Sequence, residues 1–252
     1  MLISDLIREL DVMPNPCDTV KFGNPEVELT GVAVTMWATP NVIRQARELG
    51  ANLIITHEPT FYDDNDKPRD NPVDRAKAEL IEKSGAVIYR YHTMMHKFLP
   101  DLIPTGAFYY LGIEGELTPT EYFGSSIFKL KTPLSANEIA ALFKERLGVR
   151  HIRIAGNGDF KGSTVGACLG MPGGVFEILT DEKTDIVLVG EACEFHQCEY
   201  ARDAMELGIN KAMVVLGHEG SERAGMMYLA KLLSESHPEL KIDYLECGEV
   251  YN

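Results

Sequence analysis

The chain has 252 residues, 45% of them hydrophobic and 25% charged, and a formal net charge of −14. That length holds one large domain or two small ones with a proper core. An acidic surface repels phosphate backbones and argues against general nucleic-acid binding, and no apolar run reaches the roughly 18 residues of a membrane span.

Met1 to Leu10 carries Asp5, Arg8 and Glu9 among apolar residues and reads as a short amphipathic helix, not a signal peptide. Val32 to Met36 is an apolar strand. Thr39-Pro40 then opens a helix, with Thr39 as N-cap and Pro40 at the first helical position. Val42, Ala46 and Leu49 form its apolar stripe, and Gly50 ends it. Asn52 to Thr56 is the next strand. A helix over about Val73 to Lys83 leads through Gly85 into strand Ala86 to Tyr91. Around this strand lie Tyr89, Tyr91, Phe98, Phe108, Tyr109 and Tyr110, read mostly as core.

Further along, Ile127 to Lys131 alternates apolar and basic residues, as a half-exposed strand does. Ser135 starts a helix with Glu138 three residues on, a capping-box pattern; its stripe is Ile139, Leu142, Phe143 and Leu147. His151 to Ile154 and Ser163 to Leu169 read as two more strands joined by a Gly-rich turn. Gly170 to Gly174 is a flexible loop without the Gly-Lys-Ser/Thr of a P-loop. Ile186 to Val189 and Lys211 to Gly217 are the last apolar strands. The alternation of strand and helix predicts an α/β fold.

The five cysteines, Cys17, Cys168, Cys193, Cys198 and Cys247, are odd in number and form no CxxC, which points to reduced thiols in a cytosolic protein. A partial internal repeat relates Thr30–His57 to Thr184–His218: each runs strand, helix, Glu-Leu-Gly, strand, His-Glu. Two partly similar α/β domains are therefore expected, with a metal site in the cleft between them. The first is placed at about 1–125 plus a returning segment 218–252, the second at about 126–217.

Four of the 7 histidines fall in three short clusters. These are His57-Glu58, His92 with His96, and His218 with Glu222, and each follows an apolar strand run. Ligands of open α/β sheets bind beyond the carboxyl ends of strands. Imidazole and carboxylate together suit zinc, iron or manganese. His92 and His96, like His218 and Glu222, are four apart and share a helix face. A carboxylate can give one oxygen to each of two ions, so Glu222 is the candidate bridge in a two-metal site that activates water. Glu191 and His196, after strand Ile186–Val189, are candidates for orienting a ligand or the attacking water and for proton transfer. His151 and His237 read as surface residues.

Thr56-His57-Glu58-Pro59, Tyr91-His92-Thr93 with His96, Gly190-Glu191, and Gly217-His218 with Ser221-Glu222 resemble, in order, the motifs of the NGG-interacting-factor family. Its bacterial members carry the name GTP cyclohydrolase 1 type 2 homologue or dinuclear-metal-centre hexameric protein. The resemblance implies two interlinked α/β domains, two divalent metal ions, ligands His57, Glu58, His96, His218 and Glu222 with His92 close by, and a toroidal homohexamer. It implies a small-molecule substrate, with a nucleotide among the candidates, and hydrolysis of cyclohydrolase, amidohydrolase or phosphoesterase type. A non-catalytic metal-binding regulatory protein is the alternative. The family pattern has His-His-Pro in the first cluster and an aspartate closing the second. Here Glu58 and His96 exchange those residue types, so the count of three histidines and two carboxylates is kept. Trp37 stands where the family usually has an aspartate.

Overall fold

The computed structural model describes residues 1–251. The elements in chain order are α1 (Ile3–Leu10), β1 (Val20–Phe22), β2 (Val32–Thr35), α2 (Pro40–Leu49), β3 (Leu53–Thr56), α3 (Pro72–Ser84), β4 (Val87–Arg90), α4 (Thr93–Lys97), α5 (Leu102–Leu111), β5 (Gly115–Pro119), β6 (Ser126–Ser135), α6 (Ala136–Leu147), β7 (Arg153–Gly156), β8 (Lys161–Cys168), α7 (Val175–Thr180), β9 (Ile186–Val189), a π-helical turn (Glu194–Cys198), α8 (Glu199–Glu206), β10 (Ala212–Val215), α9 (His218–Ser236) and β11 (Ile242–Tyr244). The chain divides into two compact units: Met1–Lys97 with Met226–Cys247, and Phe98–Gly225 with the last residues from Gly248 on.

The first unit holds a five-stranded sheet, order β1-β4-β3-β2-β11. Strands β11, β2, β3 and β4 run parallel, and β1 closes the edge antiparallel. Every residue of β2, β3 and β4 is buried, as expected for strands covered on both faces. The local chemistry of α2 is as the sequence predicts. Thr39 caps α2 by accepting from the Val42 N–H, and Gly50 ends it in the left-handed conformation. Asn71 caps α3, and Gly85 ends it the same way. One detail differs. Ile43, not Leu49, joins Val42 and Ala46 in the core, and Leu49, in the last turn, is 38% exposed.

The second unit holds a six-stranded sheet, order β5-β6-β8-β9-β10-β7. Its parallel centre is β8-β9-β10; β5, β6 and β7 pair antiparallel at the flanks. β7 and β8 follow one another in sequence but do not pair, because β7 crosses to the far edge of β10. The predicted capping box of α6 forms: Ser135 accepts from the Glu138 N–H, and the Glu138 carboxylate accepts from the Ser135 N–H. The strand–helix–strand repeat takes shape as β2-α2-β3 in one unit and β9-α8-β10 in the other, each with its two strands paired in parallel.

The expected boundaries at 125/126 and 217/218 differ from this division. β5 pairs along β6 and α5 packs on α6, which draws residues 98–125 into the second unit. The start of α9 is tied there too: Arg223 donates to the Glu219 carboxylate and to the Leu147 carbonyl at the end of α6. His237 is not the surface residue expected. It is half-buried, with Nε2 3.2 Å from Glu9 and Nδ1 3.6 Å from Glu239.

Candidate metal centre

In each unit the candidate ligands sit where the parallel strands end. Thr35, Thr56 and Arg90 share one level at the ends of β2, β3 and β4. The next residues along these strands reach His57, Glu58 and His92. In the second unit Cys168, Val189 and Val215 share the corresponding level of β8, β9 and β10. Gly170, Glu191 and His218 follow.

The first unit brings three imidazoles together. One ring nitrogen from each of His57, His92 and His96 lies within 4.8 Å of the others. His57 is fully buried, and His92 and His96 are half-buried. The His57 ring stacks on that of His92 at 4.4 Å and meets the His96 ring edge-on at 5.3 Å. Nδ1 of His57 faces the Tyr91 carbonyl at 3.4 Å. A carbonyl only accepts, so this contact places the proton on Nδ1 and leaves Nε2 as the lone-pair donor a metal requires. Glu58, 9% exposed, lies beside the trio: Oε1 is 3.7 Å from Nε2 of His92, and Oε2 is 3.8 Å from the Arg90 guanidinium.

Asp18 sets the backbone of this cluster. Its Oδ1 accepts from the N–H groups of His92 and Thr93 at 2.8 and 2.9 Å, and its Oδ2 from that of Met94 at 2.8 Å. Three donors at the start of α4 are thus satisfied by one carboxylate that is 1% exposed. Burial alone would raise the Asp18 carboxyl. The peptide N–H groups and the Asn15 amide outweigh it and hold the group below the usual carboxylate range.

In the second unit His218 lies between two carboxylates: Nδ1 is 2.7 Å from Oε1 of Glu191, and Nε2 is 3.2 Å from Oε2 of Glu222. A carboxylate on Nδ1 fixes the ring and leaves Nε2 as the coordinating atom. Glu222 is 2% exposed. Ser221 braces the turn: its hydroxyl donates to the His218 carbonyl and accepts from the Gly170 N–H at 2.9 Å. Two glycines make room. A Cβ on Gly190 would lie 2.7 Å from the Ser221 oxygen, and one on Gly170 would strike the Glu222 carboxylate. Gly170 also has φ +70°, which a side chain strains. Gly170→Ala is therefore expected to cost about 1–3 kcal/mol, measured by thermal unfolding, and to displace Glu222.

The structure thus gathers His57, Glu58, His92 and His96 in one unit, and Glu191, His218 and Glu222 in the other. His196 lies in the π-helical turn that follows Glu191. It is exposed, and its ring stacks on Phe176 at 3.9 Å. Trp37, in the turn after β2, accepts a hydrogen bond from Thr35 through its carbonyl. The donor chemistry fits a borderline divalent ion: imidazoles, those of His57 and His218 oriented through Nδ1, plus carboxylates.

A family model for Duf34/NIF3 (NGG1p interacting factor 3) matches residues 19–248. The chain belongs to the Duf34/NIF3 family. Within it, the chain is 28% identical over 222 residues to a protein of Pasteurella multocida named GTP cyclohydrolase 1 type 2 homolog, covering 86% of this chain and 82% of that one. A Clostridium perfringens protein of the same name is 25% identical over 222 residues, at 84% and 81% coverage. The crystal structure of a Bacillus cereus protein related to NIF3 superposes with a TM-score of 0.78 at 14% identity, covering 100% of this chain and 99% of that one, and is similar in fold.

Asp18 and Arg90 are the two residues of these clusters that sequence reading passed over. Asp18 lies in a Pro/Asn-rich loop 74 positions before His92, and no local pattern links the two. Arg90 did leave a signal, as a charge inside an otherwise apolar strand run.

Proposed function

We propose that this Duf34/NIF3 chain is a dinuclear-metal-dependent hydrolase with the ligand set His57, Glu58, His92, His96, His218 and Glu222. The observation that carries the proposal is the grouping of His57, His92 and His96 within 4.8 Å at the carboxyl ends of parallel strands. Zinc, iron and manganese all suit the donors. Two such ions would supply a Lewis acid and an activated water. Of the two residues assigned to the chemistry, Glu191 holds the His218 imidazole and acts as a positioning residue, while the exposed His196 is available for proton exchange.

Relatives named GTP cyclohydrolase 1 type 2 homolog favour a nucleotide as the first small molecule to try, and opening of the purine ring as the first reaction. The ligand set serves an amidohydrolase or phosphoesterase equally well. No helix among the described residues is long and apolar enough to cross a membrane. With five free cysteines, a cytoplasmic setting and a homohexamer, read by light scattering, complete the proposal.

The test is elemental mass spectrometry on the purified chain, followed by a hydrolase substrate panel with and without chelator. We expect about two transition-metal ions per chain and turnover that chelation abolishes. Stoichiometric metal with no turnover would instead favour a regulatory metal-binding protein, in line with the family's description as an interacting factor. Absence of metal after reconstitution with zinc, iron and manganese would defeat the metal reading.

A further inference from the structure

Arg90 has no part in the reading above, yet it is a cation buried against the imidazole cluster of the first unit. It ends β4 at 3% exposure, inside a strand otherwise made of Val87, Ile88 and Tyr89. Placing a guanidinium there is costly unless its surroundings answer it. They do so on three sides. Nε donates to the His57 carbonyl at 3.3 Å, one terminal nitrogen donates to Asp64 at 3.1 Å, and the other lies 3.8 Å from Oε2 of Glu58. The Asp64 side chain is 93% exposed, so that pair is screened and weak. The partners that matter are the two consecutive residues His57 and Glu58.

Glu58 uses its oxygens on opposite sides, Oε2 toward Arg90 and Oε1 toward Nε2 of His92. A long acidic side chain at this position has rotamers that lead elsewhere. A fixed opposite charge behind it selects the one that faces the imidazoles. A histidine here would need no such partner, because its short rigid ring is oriented by one hydrogen bond and carries no obligatory charge.

We infer that Arg90 is a positioning residue for the metal centre: it holds the Glu58 carboxylate against the imidazole cluster and so fixes a flexible side chain as a ligand. The inference rests on the metal reading of the preceding section. Two effects oppose one another. Arg90 repels a cation, but Glu58 stands between them and screens it. Losing the group that orients a ligand typically weakens metal binding about 10–100-fold. The second effect is the larger.

The experiment is a zinc titration against a chromophoric chelator on the full chain, with the unfolding temperature of each metal-free variant read in parallel. The variants are Arg90→Met, Arg90→Lys, Glu58→His and the double variant Glu58→His/Arg90→Met. Arg90→Met is expected to weaken zinc about 10–100-fold. Arg90→Lys, which keeps the charge but not the forked geometry, is expected to fall between it and wild type, and it answers the question if Arg90→Met does not fold. In the Glu58→His background, removing Arg90 is expected to leave zinc affinity unchanged or raised, since there is no carboxylate left to hold. Equal losses in both backgrounds would reduce Arg90 to a structural strap and overturn the inference. Wild-type affinity in both Arg90→Met and Arg90→Lys would overturn it too. Failure of the wild type itself to bind zinc would instead remove the metal reading beneath it.

Discussion

Glu222→Ala is expected to lower bound transition metal from about two ions per chain to well below one, with little loss of fold. His57→Ala is expected to do the same from the other unit. The reasons differ. Glu222 is 2% exposed with Oε2 3.2 Å from Nε2 of His218, and as a carboxylate it is the ligand type that joins two ions. Its removal leaves His218 held by Glu191 but alone as a donor. His57 is the fully buried member of the imidazole trio, and its Nδ1 is already committed to the Tyr91 carbonyl. Elemental mass spectrometry of wild type and both variants measures the effect directly. Retention of two ions in Glu222→Ala would remove Glu222 from the ligand set. Retention in His57→Ala would do so for the imidazole trio. Any metal-dependent turnover should fall with metal content in both variants.

Much of this arrangement was legible in the residues, and the exceptions share a cause. Strand runs, Thr39 and Ser135 caps, and Gly50 and Gly85 helix ends are local signals, and the structure places each as read. The partners that orient the ligands are distant in sequence: Asp18 from His92, Arg90 from Glu58, Gly170 from Ser221 and Glu222. Their chemistry becomes visible only when strands pair. The division into units differs from the expected boundaries for the same reason. β5 looks like the tail of what precedes it until it pairs with β6. Glu58 and His96 were visible residue by residue as candidate ligands. That Glu58 brings its own arginine was not, since a lone Arg in a strand is equally a strand-end residue reaching for solvent.

Asp18→Asn is expected to destabilise the chain by about 3 kcal/mol, because it removes two hydrogen bonds to a buried charge at about 1.5 kcal/mol or more each. Asparagine keeps one oxygen for the His92 and Thr93 N–H groups. Its amide nitrogen must then face the Met94 N–H and the Asn15 amide, both of which donate to Oδ2 in the native residue. The unfolding midpoint should drop by roughly 6–12 °C, and the start of α4, which carries His96, should loosen. The pH dependence gives a second readout. The folded carboxyl lies below its usual range. Below both the folded and unfolded values the carboxyl is protonated in either state and adds nothing. Above the ordinary aspartate value of about 4 its stabilisation is complete. Wild type should therefore lose this increment as pH falls from about 4 through the depressed folded value, and Asp18→Asn should lack it throughout. Unfolding curves of both chains from pH 7 downward should thus converge at the acid end. A constant gap between them down to the most acidic pH would mean that Asp18 acts through packing and not through the charge that anchors the ligand helix.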